Sequence, residues 1–151
     1  MTKRIQHTFF FPHPAELVWD YLTKAELMEQ WLMKNDFLPI VGHDFQFQTR
    51  PIPAFDFDGT VYCKVLEVMP YTKLSYSWKG GPGGGRITLD SLVVWTLRPK
   101  DGGTELFLDH SDFREIENAA IYAAMYDGWL KNMQRISVLI EAAVNSTNTN
   151  N

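Results

Sequence analysis

One long helix near the end of the chain constrains the fold more than any other feature. Within residues 118–144, Trp129, Met133 and Ile136 share one helical face, because positions three or four apart lie together on a helix. At 1.5 Å per residue this helix is about 40 Å long, enough to cross a sheet. Gly128 lies inside it, although glycine in a helix interior costs roughly 1 kcal/mol relative to alanine. We expect it to allow a close approach beside the large indole of Trp129.

The segments before this helix have the pattern of strands joined by short turns. Between residues 44 and 113, apolar side chains recur at every second position, as in "KLSYSW" and "TELFLDHSDF", which is the period of a strand. Short turns such as "KDGG" favour antiparallel pairing. Because only the last helix is long enough to cover such a sheet, the sequence predicts an α+β fold in which a curved antiparallel sheet wraps around that helix.

Two short helices are predicted between the first strand and the rest of the sheet. Residues 4–11 alternate crudely, and Pro12 ends this strand. Pro14 suits the first position of a helix. Thr23 and Glu26 match a capping box, which predicts that a second helix begins there.

Length and composition exclude several classes of protein. The 151 residues predict a single domain over residues 1–144 and a disordered polar tail at 145–151. The formal net charge is −4 and no basic run exceeds two residues, so no nucleic-acid partner is expected. One cysteine, no signal-peptide pattern and no apolar run of about 20 residues predict a cytoplasmic protein without a membrane span.

Four stretches of the chain, taken in their order, carry a family resemblance. They are "PAELVWDYLTKAELMEQWL", "GTVYCKVLEVMPYTKLSYSW", "LDSLVVWTLRPKDGGTELFLDHSDF" and "DGWLKNMQRISVLIEA". Together they resemble the SRPBCC superfamily of START domains and birch-pollen-allergen proteins, and within it the branch named for the activator of the heat-shock protein 90 ATPase. The resemblance implies a helix-grip fold with a cavity between sheet and helix. Members bind lipids, sterols, polyketides and other apolar molecules, and a minority catalyse reactions in the cavity.

The chain departs from this branch at two positions near the expected rim of the cavity. Relatives often carry Gly-Gly before the second strand, whereas "VGHDF" contains only Gly42. They often read H-S-G-F at the end of the last strand, whereas this chain has Asp112 in the glycine position. We therefore expect a different rim and do not carry over the identity of any ligand.

Motifs that invite a catalytic interpretation favour a structural one. Successive strand residues point to opposite faces, so His110 and Asp112 are expected to share one side while Ser111 faces away, which excludes a relay among the three. The loop "GGPGGGR" lacks the lysine and the helix of a phosphate loop and is predicted to be a flexible hairpin connection or mobile lid. The histidines and Cys63 show no metal-ligand spacing, so neither metal nor cofactor is predicted.

The first functional prediction is a non-enzymatic domain that binds a small hydrophobic or aromatic molecule between the sheet and the last helix. A pocket walled by aromatic side chains with few polar groups suits such a ligand. The polar members of the lining are expected to orient it. The predicted lining is Tyr76, Trp78, Trp95, His110, Trp129 and Met133.

Two alternatives stay open at this point. The resemblance also allows a protein-interaction or stress-response module that regulates a chaperone ATPase, which an exposed apolar patch would favour. A cyclase- or hydrolase-like enzyme acting on a polyketide-like substrate would use His7, His110 or Tyr76 as acid–base groups. No catalytic residue is assigned, and a homodimer is left open.

Overall fold

Seven strands of the described residues form one antiparallel sheet, in the order β1-β7-β6-β5-β4-β3-β2. The computed structural model describes residues 3–116 and 119–149. The strands are β1 (Ile5–Phe11), β2 (Lys34–Asn35), β3 (Asp44–Gln48), β4 (Thr60–Met69), β5 (Lys73–Gly80), β6 (Leu89–Lys100) and β7 (Gly103–Ile116). The helices are α1 (Ala15–Thr23), α2 (Ala25–Trp31) and α3 (Ala119–Thr149), with a 3-10 turn at Pro53–Phe55.

The sheet curls around α3, and this confirms the α+β helix-grip fold expected from the sequence. Strand alternation buries one face of the sheet, and every second residue of β6 from Leu89 to Leu97 is buried. On α3, Trp129, Met133 and Ile136 are buried against that face. Burying a large apolar side chain stabilises the fold by roughly 1.5–3 kcal/mol. The first strand, β1, lies at one edge of the sheet and pairs with the last strand, β7, with Ile5 opposite His110.

A bulge near the end of β7 changes which residues face inward. Leu92 pairs with Ser111 and Asp90 pairs with Glu115, so residues 112–114 lie opposite Ser91 alone. The expectation that Asp112 shares a side with His110 is therefore wrong, because extra residues in a bulged strand shift the alternation. Asp112 is exposed and has a φ of 55°, in the left-handed region that glycine adopts most easily.

The boundary between α1 and α2 lacks the predicted capping box. Thr23 Oγ1 donates a hydrogen bond to the carbonyl of Trp19 at 2.8 Å. Lys24 stands at the N-cap of α2, with no side-chain hydrogen bond. Thr23 belongs to the last turn of α1, where the carbonyl four residues earlier is the nearest acceptor.

The long helix differs from its prediction in two respects. It continues to Thr149, so the predicted end near Val144 comes too early and residues 145–149 are helical; residues 150 and 151 lie outside the described residues. No glycine or proline after Val144 interrupts the helix. A Cβ placed on Gly128 would meet no atom within 4 Å beyond its own helix turn. The predicted close approach at Gly128 is therefore wrong.

The glycine-rich segment joins β5 to β6 as a loop, as expected. Gly83, Gly84 and Gly85 all have positive φ, and the loop leads into a strand, not a helix. Among the helices of the described ranges, none is long and apolar enough to cross a membrane.

Candidate functional site

The six predicted lining residues meet in one cluster between the sheet and α3. Trp129 lies with its ring centroid 5.1 Å from that of Trp78 and 5.6 Å from that of Trp95. Trp95 Nε1 donates a hydrogen bond to the Tyr76 hydroxyl at 3.0 Å. Such edge and tilted contacts between aromatic rings add to the stability gained from burial. The buried members are Tyr76, Trp78, Trp95, His110, Trp129 and Met133.

A chain of hydrogen bonds fixes the tautomer of His110. Trp129 Nε1 donates to His110 Nδ1 at 3.0 Å. An indole nitrogen can only donate, so Nδ1 accepts and the ring proton sits on Nε2. Nε2 then donates to Ser91 Oγ at 2.7 Å, and the Ser91 hydroxyl donates to the carbonyl of Trp78 at 3.0 Å. Both ring nitrogens of His110 are therefore occupied by protein groups.

This environment does not suit acid–base chemistry. Burial lowers the pKa of His110 to about 3, so the ring is neutral near pH 7. His110 donates its proton toward Ser91, the opposite direction from a base that activates a serine. Burial also raises the pKa of the Tyr76 hydroxyl, which keeps it protonated. His7 lies apart from the cluster, where its Nε2 donates to the carbonyl of Tyr126 at 2.7 Å.

A cavity of about 230 Å³ lies next to this cluster, toward the start of α3. Of the six predicted residues, only Trp78 lines it. The other five are packed deeper in the cluster, and contact between them and a ligand stays a prediction. The cavity is lined by Met33, Thr49, Ile52, Phe55, Phe57, Val61, Trp78, Gly80, Leu89, Ile121, Ala124 and Met125.

One wall of the cavity is the connection between β3 and β4, which we call the lid hairpin (residues 49–59). Ile52 and Phe57 exchange backbone hydrogen bonds of 2.9 and 3.3 Å, and the 3-10 turn between them lies against α3. Gly59 ends the hairpin with a φ of 97°, and a Cβ there would lie 2.6 Å from the carbonyl oxygen of Thr49. This position therefore requires glycine.

Sequence reasoning missed the lid hairpin as a wall of the site. None of the predicted lining residues lies in the stretch "PIPAFDFDG". The sequence feature that could have revealed this wall is a set of apolar residues between prolines and aspartates. These residues are Ile52, Phe55 and Phe57, and all three line the cavity. Large apolar residues in a polar loop need a surface to cover, and that surface is visible only once the sheet has curled.

Comparison with known proteins decides the family. The family described as "Activator of Hsp90 ATPase homolog 1-like protein" matches residues 12–141. The chain belongs to this family. Its membership confirms the superfamily and the branch that the four sequence stretches indicated. No curated protein matches the chain.

Solved structures agree with this assignment. Protein MLL2253 from Mesorhizobium loti has a TM-score of 0.80 and 34% identity, covering 93% of this chain and 98% of that protein. The Aha1 dimer from Colwellia psychrerythraea has a TM-score of 0.70 and 16% identity, covering 89% and 93%. DynU16, a protein of the dynemicin biosynthetic locus, has a TM-score of 0.73 and 21% identity, covering 93% of this chain but 48% of its own. The last two show a shared fold alone.

The helix-grip fold is thus common to this chain and to other members of the Activator of Hsp90 ATPase homolog 1-like family. Asp112 was expected near the rim of the cavity, but it does not line the cavity. It lies instead in a hollow on the other face of the sheet, with Lys64 and Lys79. No group of three or more histidine, cysteine or acidic side chains in the described part of the chain could hold a metal ion.

Proposed function

We propose that the protein binds a small, largely apolar molecule in the cavity between the sheet, the lid hairpin and the start of α3. The single observation that carries the proposal is the cavity itself, about 230 Å³ in volume, with an almost entirely apolar lining. Apolar cavities of about 150 Å³ accept benzene, and sites for drug-sized ligands begin near 300 Å³. The volume therefore suits a molecule of about two fused rings.

The wall chemistry supports a neutral ligand. None of the described residues that line the cavity carries a charge, and a charged group would lose its hydration there without a partner. Phe55, Phe57 and Trp78 offer aromatic faces. Met33 and Met125 offer flexible thioethers that adapt to a ring and contact it favourably. This combination favours an aromatic ligand over a charged lipid chain.

The relatives are consistent with the proposal. DynU16 is described as a protein of a biosynthetic locus, which supports a small organic molecule as the partner of this fold. The environment of His110 and Tyr76 gives no support to the enzymatic alternative. A cytoplasmic location remains part of the proposal and rests on the sequence alone.

Protein association is a second candidate function. The turn between β2 and β3 exposes Leu38, Ile40 and Val41 at 49%, 58% and 63%, and clustered exposed apolar residues often mark interfaces. The Colwellia relative is described as a dimer, which suggests a second copy as the partner. Light scattering during size-exclusion chromatography would show a dimer that Ile40→Asp dissociates; a monomeric wild-type protein would contradict this candidate.

Binding of naphthalene, measured by NMR titration, tests the ligand proposal. Ala123 and Ala124 are neighbours in α3 and both are exposed, but only Ala124 lines the cavity. We expect Ala124→Phe to weaken naphthalene binding at least tenfold because the ring occupies the cavity, whereas Ala123→Phe leaves it unchanged. Absence of naphthalene binding to the wild-type protein, or equal effects of the two variants, would contradict the proposal.

A further inference from the structure

The residues that line the cavity differ in exposure from one side to the other. Val61, Trp78 and Leu89, from three neighbouring strands of the sheet, are 4%, 5% and 4% exposed, and we call this side the floor. Ile52 in the lid hairpin is 37% exposed, and Ala124 in α3 is also exposed, although both line the same cavity. Side chains that line a cavity and also meet solvent lie where the cavity reaches the surface. We therefore call the side formed by Ile52 and Ala124 the mouth.

The described residues of the floor offer a ligand almost no polar surface. The lining is almost entirely apolar, and the backbone behind it is engaged within the sheet. Gly80 pairs with Leu89, and the carbonyl of Gly80 accepts a hydrogen bond from the amide of Thr88 at 3.0 Å. The carbonyl of Trp78 accepts from the hydroxyl of Ser91. A hydroxyl or amide group of a ligand that reached the floor would therefore lose its water without gaining a partner.

We propose that the ligand is an amphiphile that enters with its apolar body first and leaves one polar end at the mouth. This inference rests on the proposed function and narrows the ligand class. The ligand has an apolar body of about two fused rings and a hydrophilic group at one end only. A compound with polar groups at both ends is excluded, because one of them would reach the floor. The polar group of a bound ligand stays in solvent, where a second molecule can reach it.

Naphthalene, 2-naphthylmethanol and 2,6-naphthalenedimethanol form the series of probes that tests this orientation. They share one ring system, and the two hydroxyl groups of the diol stand at opposite ends of it. We expect 2-naphthylmethanol to bind within about threefold of naphthalene, since a hydroxyl at the mouth keeps its hydration. The diol should bind more weakly than 2-naphthylmethanol by roughly tenfold or more, because one hydroxyl is buried without a partner. NMR titration of the wild-type protein measures all three affinities.

The position of the bound hydroxymethyl group gives a second readout. In NOE spectra of the 2-naphthylmethanol complex, its hydroxymethyl protons should contact the methyl groups of Ile52 and Ala124. The opposite edge of the ring should contact the methyl groups of Val61 and Leu89. A soluble paramagnetic agent should broaden the hydroxymethyl protons more than the protons of that opposite edge.

The two alanines of α3 control for binding elsewhere on the protein. Ala124→Phe should weaken naphthalene and 2-naphthylmethanol alike, because both occupy the cavity that Ala124 lines. Ala123→Phe should leave both affinities unchanged. If Ala124→Phe weakens naphthalene but not 2-naphthylmethanol, the alcohol binds at another place and the inference is overturned.

The proposed function and this inference fail in different ways. If naphthalene does not bind the wild-type protein, the proposed function is wrong. If naphthalene binds, three results overturn the inference alone: 2-naphthylmethanol binds as weakly as the diol, the diol binds as tightly as 2-naphthylmethanol, or the hydroxymethyl protons contact Val61 and Leu89.

Discussion

The two ends of the space between α3 and the sheet differ in how they are filled. Toward the middle of α3, Trp129 meets Trp95 at 5.6 Å, and Trp95 meets Trp31 at 5.9 Å. Toward its start, the helix presents Ala124 and Met125 to a hollow of about 230 Å³. The same helix and the same sheet form both ends, so the difference between the ends lies in their side chains.

Side-chain size and hydrogen bonding account for the difference. At the filled end, large rings face one another and their nitrogens find partners, as Trp129 does at His110. At the hollow end, the lid hairpin lines the space with Ile52, Phe55 and Phe57, and the short side chain of Ala124, which is exposed, does not fill it. Protein interiors are usually packed nearly as densely as organic crystals. An unfilled hollow of this size lowers stability, which is expected where the space serves another purpose.

The largest expected effect is the loss of stability when a packed aromatic ring is removed from the filled end. Trp129→Ala should lower the free energy of unfolding by roughly 3–5 kcal/mol, because it opens a cavity in a packed core and removes the donor to His110. Urea denaturation measures this loss. A loss below about 1 kcal/mol would mean that Trp129 borders empty space after all.

Two methionines on α3 give a matched comparison of the ends. Met133 is fully buried at the filled end, and Met125 lines the hollow. Met133→Ala should cost roughly 2–5 kcal/mol. Met125→Ala should cost about 1 kcal/mol or less, because fewer contacts disappear at a wall that already faces space. Equal losses in urea denaturation would contradict the contrast between the ends.

The pH dependence of stability is the third expected effect and belongs to the filled end. Burial lowers the pKa of His110 from 6.5 to about 3, so below pH 6.5 the unfolded chain takes up a proton that the folded chain does not. The contribution of His110 is thus complete above pH 6.5 and declines as the pH falls toward 3, by up to about 1.4 kcal/mol per pH unit.

Replacing His110 separates this effect from the titration of carboxylates. His110→Gln should flatten the fall in unfolding free energy between pH 6 and 4, compared with the wild-type protein. Identical slopes in the variant and the wild-type protein would show that His110 is not held neutral.

The smallest expected effect concerns the helix position between the two ends. Gly128→Ala should raise the free energy of unfolding by roughly 0.5–1 kcal/mol, because alanine favours the helix and its Cβ meets no atom within 4 Å. Gly59→Ala should instead destabilise the protein, since its Cβ would press on Thr49 at a φ of 97°. A destabilising Gly128→Ala would restore the idea of a close approach there.

The sequence predicted the fold and the inward-facing aromatic residues better than it predicted the residues that line the cavity. Strand alternation and helical spacing placed Trp95, His110 and Trp129 on inward faces, because those periods depend only on local geometry. The same alternation misplaced Asp112, since nothing in the local pattern reveals a bulge. The hollow itself depends on how far side chains from distant segments reach, so Phe57 and Met125 could not be assigned to one wall before the sheet had curled.

Xenon binding in a crystal tests the central claim most directly, because apolar cavities take up xenon whereas packed cores do not. A crystal pressurised with xenon should show an atom in contact with Trp78 and Met125, inside the hollow behind the lid hairpin, and none between Trp95 and Trp129. No xenon beside Trp78, or xenon among the rings at the filled end, would contradict the account.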